Sequence, residues 1–253
     1  MISIKSAFNF IKKILIYKPY NPEEYWKGRA RQPGLYSVMW KNNIYNAMVS
    51  QIEKKEIDKY FKNIKNKKIL DLGCGTGRIS RYLAQKGALV TGLDLKEMIE
   101  VAKQENPHPG INYIAGSMYK INLSKNYFDY ILSVASIAVC CNTKKKLKNT
   151  FSNCYNSLKH EGSILLMEPF HKWSFLARPA RFNIKDIVKN LEKEKFKLVN
   201  KCGILFWPVR IYLTTRYAPK SPKVNEWLFK FGEKILKTTH TILSDYKIIV
   251  FKK

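Results

Sequence analysis

Between residues 67 and 168, short apolar runs alternate with segments whose apolar residues recur every three or four positions. The runs at 68–72, 88–94, 111–115, 128–134 and 163–168 predict strands, and 77–86, 96–104 and 143–158 have the period of helices. Strands alternating with helices predict a parallel sheet covered on both faces, with right-handed crossovers and a ligand beyond the carboxyl ends of the strands. Ahead of this core, Ile4, Phe8, Ile11 and Leu15 mark one face of a basic amphipathic helix over 2–17. Asn21-Pro22-Glu23-Glu24 has the cap, proline and acids of a second helix start, and 41–64 reads as a longer helix carrying Ile44, Met48, Ile52, Ile57 and Phe61. Beyond Pro169 the pattern is less regular. A helix is expected at 184–194, a strand near 196–202, a helix at 224–237 after Pro219 and Pro222, and a closing alternating strand at 244–252. No repeat or low-complexity linker interrupts the chain, so residues 1–253 are read as one domain. Its parts are N-terminal helices (1–66), a core (67–168) and a third segment (169–253) with an insertion at 205–243.

The first strand ends in Asp71-Leu-Gly73-Cys-Gly75-Thr-Gly77, where backbone must approach a ligand and any Cβ is expected to displace it. Strand, glycine loop and helix form the first half of a nucleotide-binding unit. A dinucleotide fingerprint needs a small residue at position 78, where this chain has Arg78, and no Gly-Lys-Ser/Thr phosphate loop is present. Both observations disfavour phosphate cradling. Asp94, at the tip of the second strand, can accept hydrogen bonds from both hydroxyls of an adenosine ribose.

Charge divides the chain differently. The net charge of +27 is carried mostly by the flanks: +10 in 1–68 and +13 in 169–253, against +4 in 69–168. An electrostatically ordinary core between basic flanks suits an anionic partner, either a membrane surface or a polyanion; lysines scattered over solvated faces would give the same totals. Five cysteines without a C-x-x-C pair argue against a disulfide scaffold or zinc knuckle and favour a reducing compartment. No secretory signal or spanning segment is apparent.

The segment Ile69–Gly77 closely resembles the first motif of the class I S-adenosylmethionine-dependent methyltransferases of the type 11-like group, and Val90–Asp94 resembles the second. Ile114–Met118 is similar to the third, with Ser117 where an acid is common; Phe128–Ser133 and Leu158–Glu168 resemble the fourth and fifth elements. The resemblance covers 67–168. It implies a Rossmann-like, doubly wound α/β fold: a mostly parallel seven-stranded sheet with an antiparallel last strand, N-terminal helices and a C-terminal helical insertion. It also implies S-adenosyl-L-methionine as cofactor. Carried over to this sequence, the cofactor-binding positions are Asp71, Gly73, Cys74, Gly75, Gly77, Asp94, Leu95, Ser117, Met118 and Ser133, with Tyr25, Trp26 and Arg31 as a lid.

Methyl transfer is an in-line displacement that needs alignment, exclusion of water and removal of any acceptor proton. His171, three residues past Glu168, is the candidate base; no metal is called for. In 205–243, Phe206, Trp207, Tyr212, Tyr217, Trp227 and Phe229 alternate with Arg210, Arg216, Lys220 and Lys223. That composition fits an amphiphilic acceptor at a membrane interface, a surface that stacks on RNA, or a small helical cap. The expectation is transfer to oxygen or carbon of a small or lipid-linked acceptor by a cytoplasmic enzyme, peripheral to the inner membrane face. An RNA methyltransferase and a non-catalytic cofactor-binding protein of the same fold are the alternatives.

Overall fold

The computed structural model describes residues 21–32, 34, 38–170, 182–215, 217–239 and 242–253. The helix expected at 2–17 and the candidate base His171 lie outside these residues.

Helices α1 (Pro22–Ala30) and α2 (Asn43–Tyr60) precede β1 (Lys68–Leu72), α3 (Arg78–Gln85), β2 (Leu89–Asp94), α4 (Lys96–Glu105), β3 (Ile111–Ala115) and β4 (Phe128–Val134). The short α5 (Ile137–Cys140), α6 (Lys144–Ser157) and β5 (Leu158–Glu168) follow. Then come α7 (Ile184–Lys193), β6 (Lys197–Phe206), α8 (Trp207–Leu213), α9 (Pro222–Thr239) and β7 (Ser244–Lys252). The seven strands form one sheet in the order β3-β2-β1-β4-β5-β7-β6. Strand β7 runs antiparallel to both β5 and β6, while β1 to β5 are mutually parallel. The Rossmann-like expectation holds, including the antiparallel last strand. Strand β6 runs four residues past its expected end, the aromatic stretch after it becomes α8, and α5 had no periodic signature because it is a single turn.

Alternate residues along each strand enter opposite layers. Ile69, Val90, Leu132, Leu165, Ile248 and Val250 meet α2 and α3 on one face. Leu70, Leu72, Ile131, Ile164, Leu166 and Phe251 meet α6 and α7 on the other. Burial on both faces is why these strands read as continuous apolar runs.

Strand order reverses between β1 and β4, so the loops after these strands diverge and open a crevice. The helical ends are closed by local chemistry: Asn21 accepts from Glu23 N at 3.1 Å, and Asn42 from Tyr45 N at 3.1 Å. Asn42 also donates to the Leu213 carbonyl at 2.7 Å, which ties the start of α2 to the end of α8. Beneath that junction Arg210 forms a buried ion pair with Asp245, Nε to Oδ2 at 3.1 Å. Removing one partner strands the other charge in a dry interior. Arg210→Met is therefore expected to lower the unfolding free energy by about 3–5 kcal/mol. The double change Arg210→Met with Asp245→Leu should recover most of the loss; urea denaturation of both variants measures it.

Candidate active site

The crevice at the β1/β4 reversal is an open cleft, the place where ligands bind in folds of this kind. Asp71, Gly73, Cys74, Gly75 and Thr76 from the β1 loop line it, with Asp94, Leu95, Met98 and Met118 on one side and Val134, Ala135 and Ser136 on another. The adjoining pocket is walled by Leu95, Gly116, Ser117, Met118, Tyr119 and Cys140. Helix α1 borders both spaces, through Trp26 in the cleft and Pro22 and Glu23 in the side pocket. The Tyr119 hydroxyl bonds to Glu23 and holds that end of α1 down.

The three loop glycines are required by the protein itself. At Gly73 φ is +79°, and an added Cβ would sit 2.2 Å from Ser136 Cβ. At Gly77 φ is +78°, and a Cβ would lie 2.1 Å from the Tyr113 hydroxyl. To the expectation that a Cβ would displace the ligand the structure adds a nearer constraint: it would drive the β1 and β4 loops apart at Gly73, or push Tyr113 away at Gly77. Gly77 caps α3 and is not part of the cleft wall.

Asp94 accepts from Gly75 N at 2.8 Å and Leu95 N at 2.7 Å, which fixes the carboxylate while leaving lone pairs for ligand hydroxyls. Burial raises it to about 6, against the pull of those two backbone donors. Asp71 is likewise raised to about 6 by burial; Ser80, donating at 2.6 Å, and nearby Arg78 oppose the shift. Arg78 itself is held at 2.6 Å by buried Glu53 of α2, and both line the cleft. The side chain that spoils a dinucleotide loop therefore locks the N-terminal helices onto it. Burial pushes the Cys74 thiol up, so Cys74 is an apolar wall.

Two buried polar atoms on the cleft wall, Thr76 Oγ1 and Trp26 Nε1, have no hydrogen-bond partner among the described residues. Such atoms are normally satisfied, so a ligand with polar groups fits the cleft.

Ser133 lies outside the cleft wall. It is fully buried and donates to Glu168 Oε1 at 2.5 Å. Glu168 also accepts from the backbone N–H groups of Ser136, Ile137 and Ala138, each at 3.0 Å. Its carboxyl is pushed up by burial and pulled back by those donors. Ser136 in turn donates to the Leu72 carbonyl at 2.5 Å. Sequence reasoning passed over Glu168, whose signal was an acid closing the apolar run Ile164–Met167. Val38, Trp40 and Tyr246 were missed too, because nothing local marks residues that reach the cleft from distant segments. Tyr25 faces the wider space beyond the cleft, and Arg31 is an exposed residue at the end of α1.

Residues 70–166 match the family described as "Methyltransferase domain". The Bacillus subtilis protein YqeM, named as a candidate methyltransferase, is 37% identical over 106 residues, 39% of this chain and 40% of that protein. A ubiquinone biosynthesis O-methyltransferase of Coxiella burnetii is 35% identical over 89 residues, 34% of this chain and 38% of that one. The chain thus spans about two-fifths of the length of these relatives. The solved S-adenosylmethionine-dependent methyltransferase of Mesorhizobium loti superposes with a TM-score of 0.57 over 79% of this chain and 97% of its own, at 17% identity, and shares the fold. Residues 70–166 therefore match a methyltransferase domain, and the solved structure shows that the fold is the one such enzymes use.

Two outcomes follow from this geometry. Glu168→Ala leaves three backbone N–H groups without an acceptor and should cost about 3 kcal/mol or more, read by urea denaturation. A ribose diol held by Asp94 and an ammonium held by Asp71 would both favour the carboxylates, so such binding would lower their values from about 6. Affinity for S-adenosylmethionine is then highest above about 6 and weakens as pH falls through it, by up to about tenfold per unit for each carboxylate. Calorimetry across that range measures the slope, and Asp94→Asn should flatten it.

Proposed function

We propose that this chain is an S-adenosylmethionine-dependent methyltransferase that transfers to an oxygen or carbon of a small or lipid-linked acceptor, met by a cytoplasmic enzyme at a membrane surface. The observation that carries this reading is the adjacency of two spaces. A wider hollow, open to solvent, adjoins the cleft, and the two share Trp26, Val38, Met39, Trp40, Ala135, Val139 and Tyr246 as walls. A cofactor held in the first space faces an acceptor in the second.

When bound, S-adenosylmethionine supplies a methyl carbon on a sulfonium, open to in-line attack. Asp94 would hold the ribose hydroxyls, Asp71 the ammonium, and Met118 would pack on the adenine with Ser117 and Leu95 beside it. Trp26 and Trp40 cover the junction and keep water from it. Burial pushes the Tyr246 hydroxyl well up, so at this junction Tyr246 donates a proton in a hydrogen bond and does not remove one.

The wall of the wider space carries Tyr25, Trp26, Trp40 and Tyr246 together with Arg29 and Lys41, and no carboxylate among the described residues; Arg210, also in this wall, is paired with Asp245. That lining suits an acceptor with an aromatic or planar part and negative charge. Ser133 at the end of β4 and Ser136 just after it spend their hydroxyls on Glu168 and Leu72, so this stretch offers no side-chain carbonyl to clamp an exocyclic amine. Oxygen or carbon is accordingly preferred over nitrogen, and the relative from Coxiella burnetii is named as an O-methyltransferase. Among the described residues all five cysteines are free, in keeping with a reducing compartment, and no helix is long and apolar enough to cross a membrane.

Isothermal calorimetry should show S-adenosylmethionine binding that Asp94→Ala weakens at least about tenfold, since hydrogen bonds to a charged acceptor are lost. A wild-type chain that binds none would refute the reading.

A further inference from the structure

Helix α9 has two apolar faces. Asn225, Phe229, Gly232 and Leu236 are buried against the body of the protein, where Phe229 meets Tyr45 at 5.8 Å between ring centroids. Trp227 is 63% exposed and lies roughly opposite this face at 3.6 residues per turn. Phe231, 49% exposed, stacks on Trp227 with centroids 5.6 Å apart and planes 10° from parallel, and exposed Val224 extends the stripe. An outward apolar stripe contributes nothing to the core and is costly in water, so it implies a partner.

Charge says which partner. Exposed Lys223, Lys230, Lys234 and Lys237 occupy the sector beside the stripe. Of the two acids in α9, Glu226 pairs with Lys230 at 2.6 Å, and Glu233 accepts from Phe206 N at 3.1 Å at the inner side. Lysines flanking aromatic and aliphatic side chains match the boundary of an anionic bilayer, where the stripe enters the acyl region and the ammonium groups stay among headgroups. A second copy of this chain would set lysine against lysine. RNA would need open ring faces, and Trp227 and Phe231 each spend one on the other.

We infer that the outer face of α9, centred on Trp227 and Phe231 and flanked by its lysines, docks this protein on anionic lipid. The inference deepens the membrane part of the proposed function and rests on it for its purpose. Helix α9 packs on α8, whose exposed Tyr212 lies two residues before Thr214 of the wider space's wall. Docking through α9 would bring that side of the wider space toward the bilayer, where a lipid-linked acceptor resides.

Co-sedimentation of the full chain with phosphatidylcholine vesicles, with and without phosphatidylglycerol, tests it. The wild type should bind only vesicles containing phosphatidylglycerol, and more weakly as salt is raised. Trp227→Ser with Phe231→Ser should reduce partitioning about tenfold or more, and Lys223→Glu with Lys234→Glu should also weaken it. All four side chains are exposed, so melting temperature and S-adenosylmethionine affinity should not change. Equal partitioning of the Trp227/Phe231 variant, or no binding by the wild type, would overturn the inference. So would a dimer or an RNA complex that the same changes abolish. Failure with cofactor affinity intact leaves the methyltransferase reading standing, whereas loss of cofactor binding by the wild type strikes that reading alone.

Discussion

The site depends on how one buried carboxylate is satisfied. Glu168 ends strand β5, inside the sheet, without access to water, and receives Ser133 and three successive backbone N–H groups from the turn into α5. This fixes the loop after β4. Ser136, in that loop, reaches across to Leu72 and leaves room opposite it only for a glycine at 73. A charge alone in an apolar layer would be untenable, but with four donors it becomes a rigid bracket between the carboxyl ends of three strands. The left-handed backbone of Ala135 (φ +53°) is held in the same bracket, by its N–H on the Met167 carbonyl at 2.9 Å.

Around this bracket the two halves of the site are built differently. The glycine-loop cleft is assembled from the adjacent strand ends β1, β2 and β4, with positions set by sheet register. The wider space beside it is assembled from α1, the segment before α2, α8 and the start of β7, which are far apart in the chain. Long-range polar ties hold it: Asn42 on Leu213, Arg210 on Asp245 and Arg78 on Glu53. Helix α9 packs beside α2 and α8 through one face and is turned outward through the other.

Sequence and structure agree best where periodicity is enforced by burial on both sides. Strands β1, β4 and β7 fall at their expected residues, because alternate side chains must fill two layers and a slip of one residue would exchange them. Agreement is weaker where a single turn or a bend decides: α5 is too short to carry a period, and β6 passes into α8 within an aromatic run that reads equally as strand or helix.

By itself, the sequence determined which local elements meet at the cleft: the glycine loop, Asp71 and Asp94 are local signals, since backbone conformation and strand-end position follow from neighbouring residues. Only the tertiary structure decided why the glycines are needed, namely Ser136 and Tyr113 packed against them. It alone decided that Ser133 serves Glu168 and lies off the cleft wall, and that Trp40 and Tyr246 meet at the junction of the two spaces. Whether an aromatic residue in 205–243 is core or surface was likewise undecided by composition. Phe229 and Trp227 are two residues apart in one helix, and the direction of the core separates them.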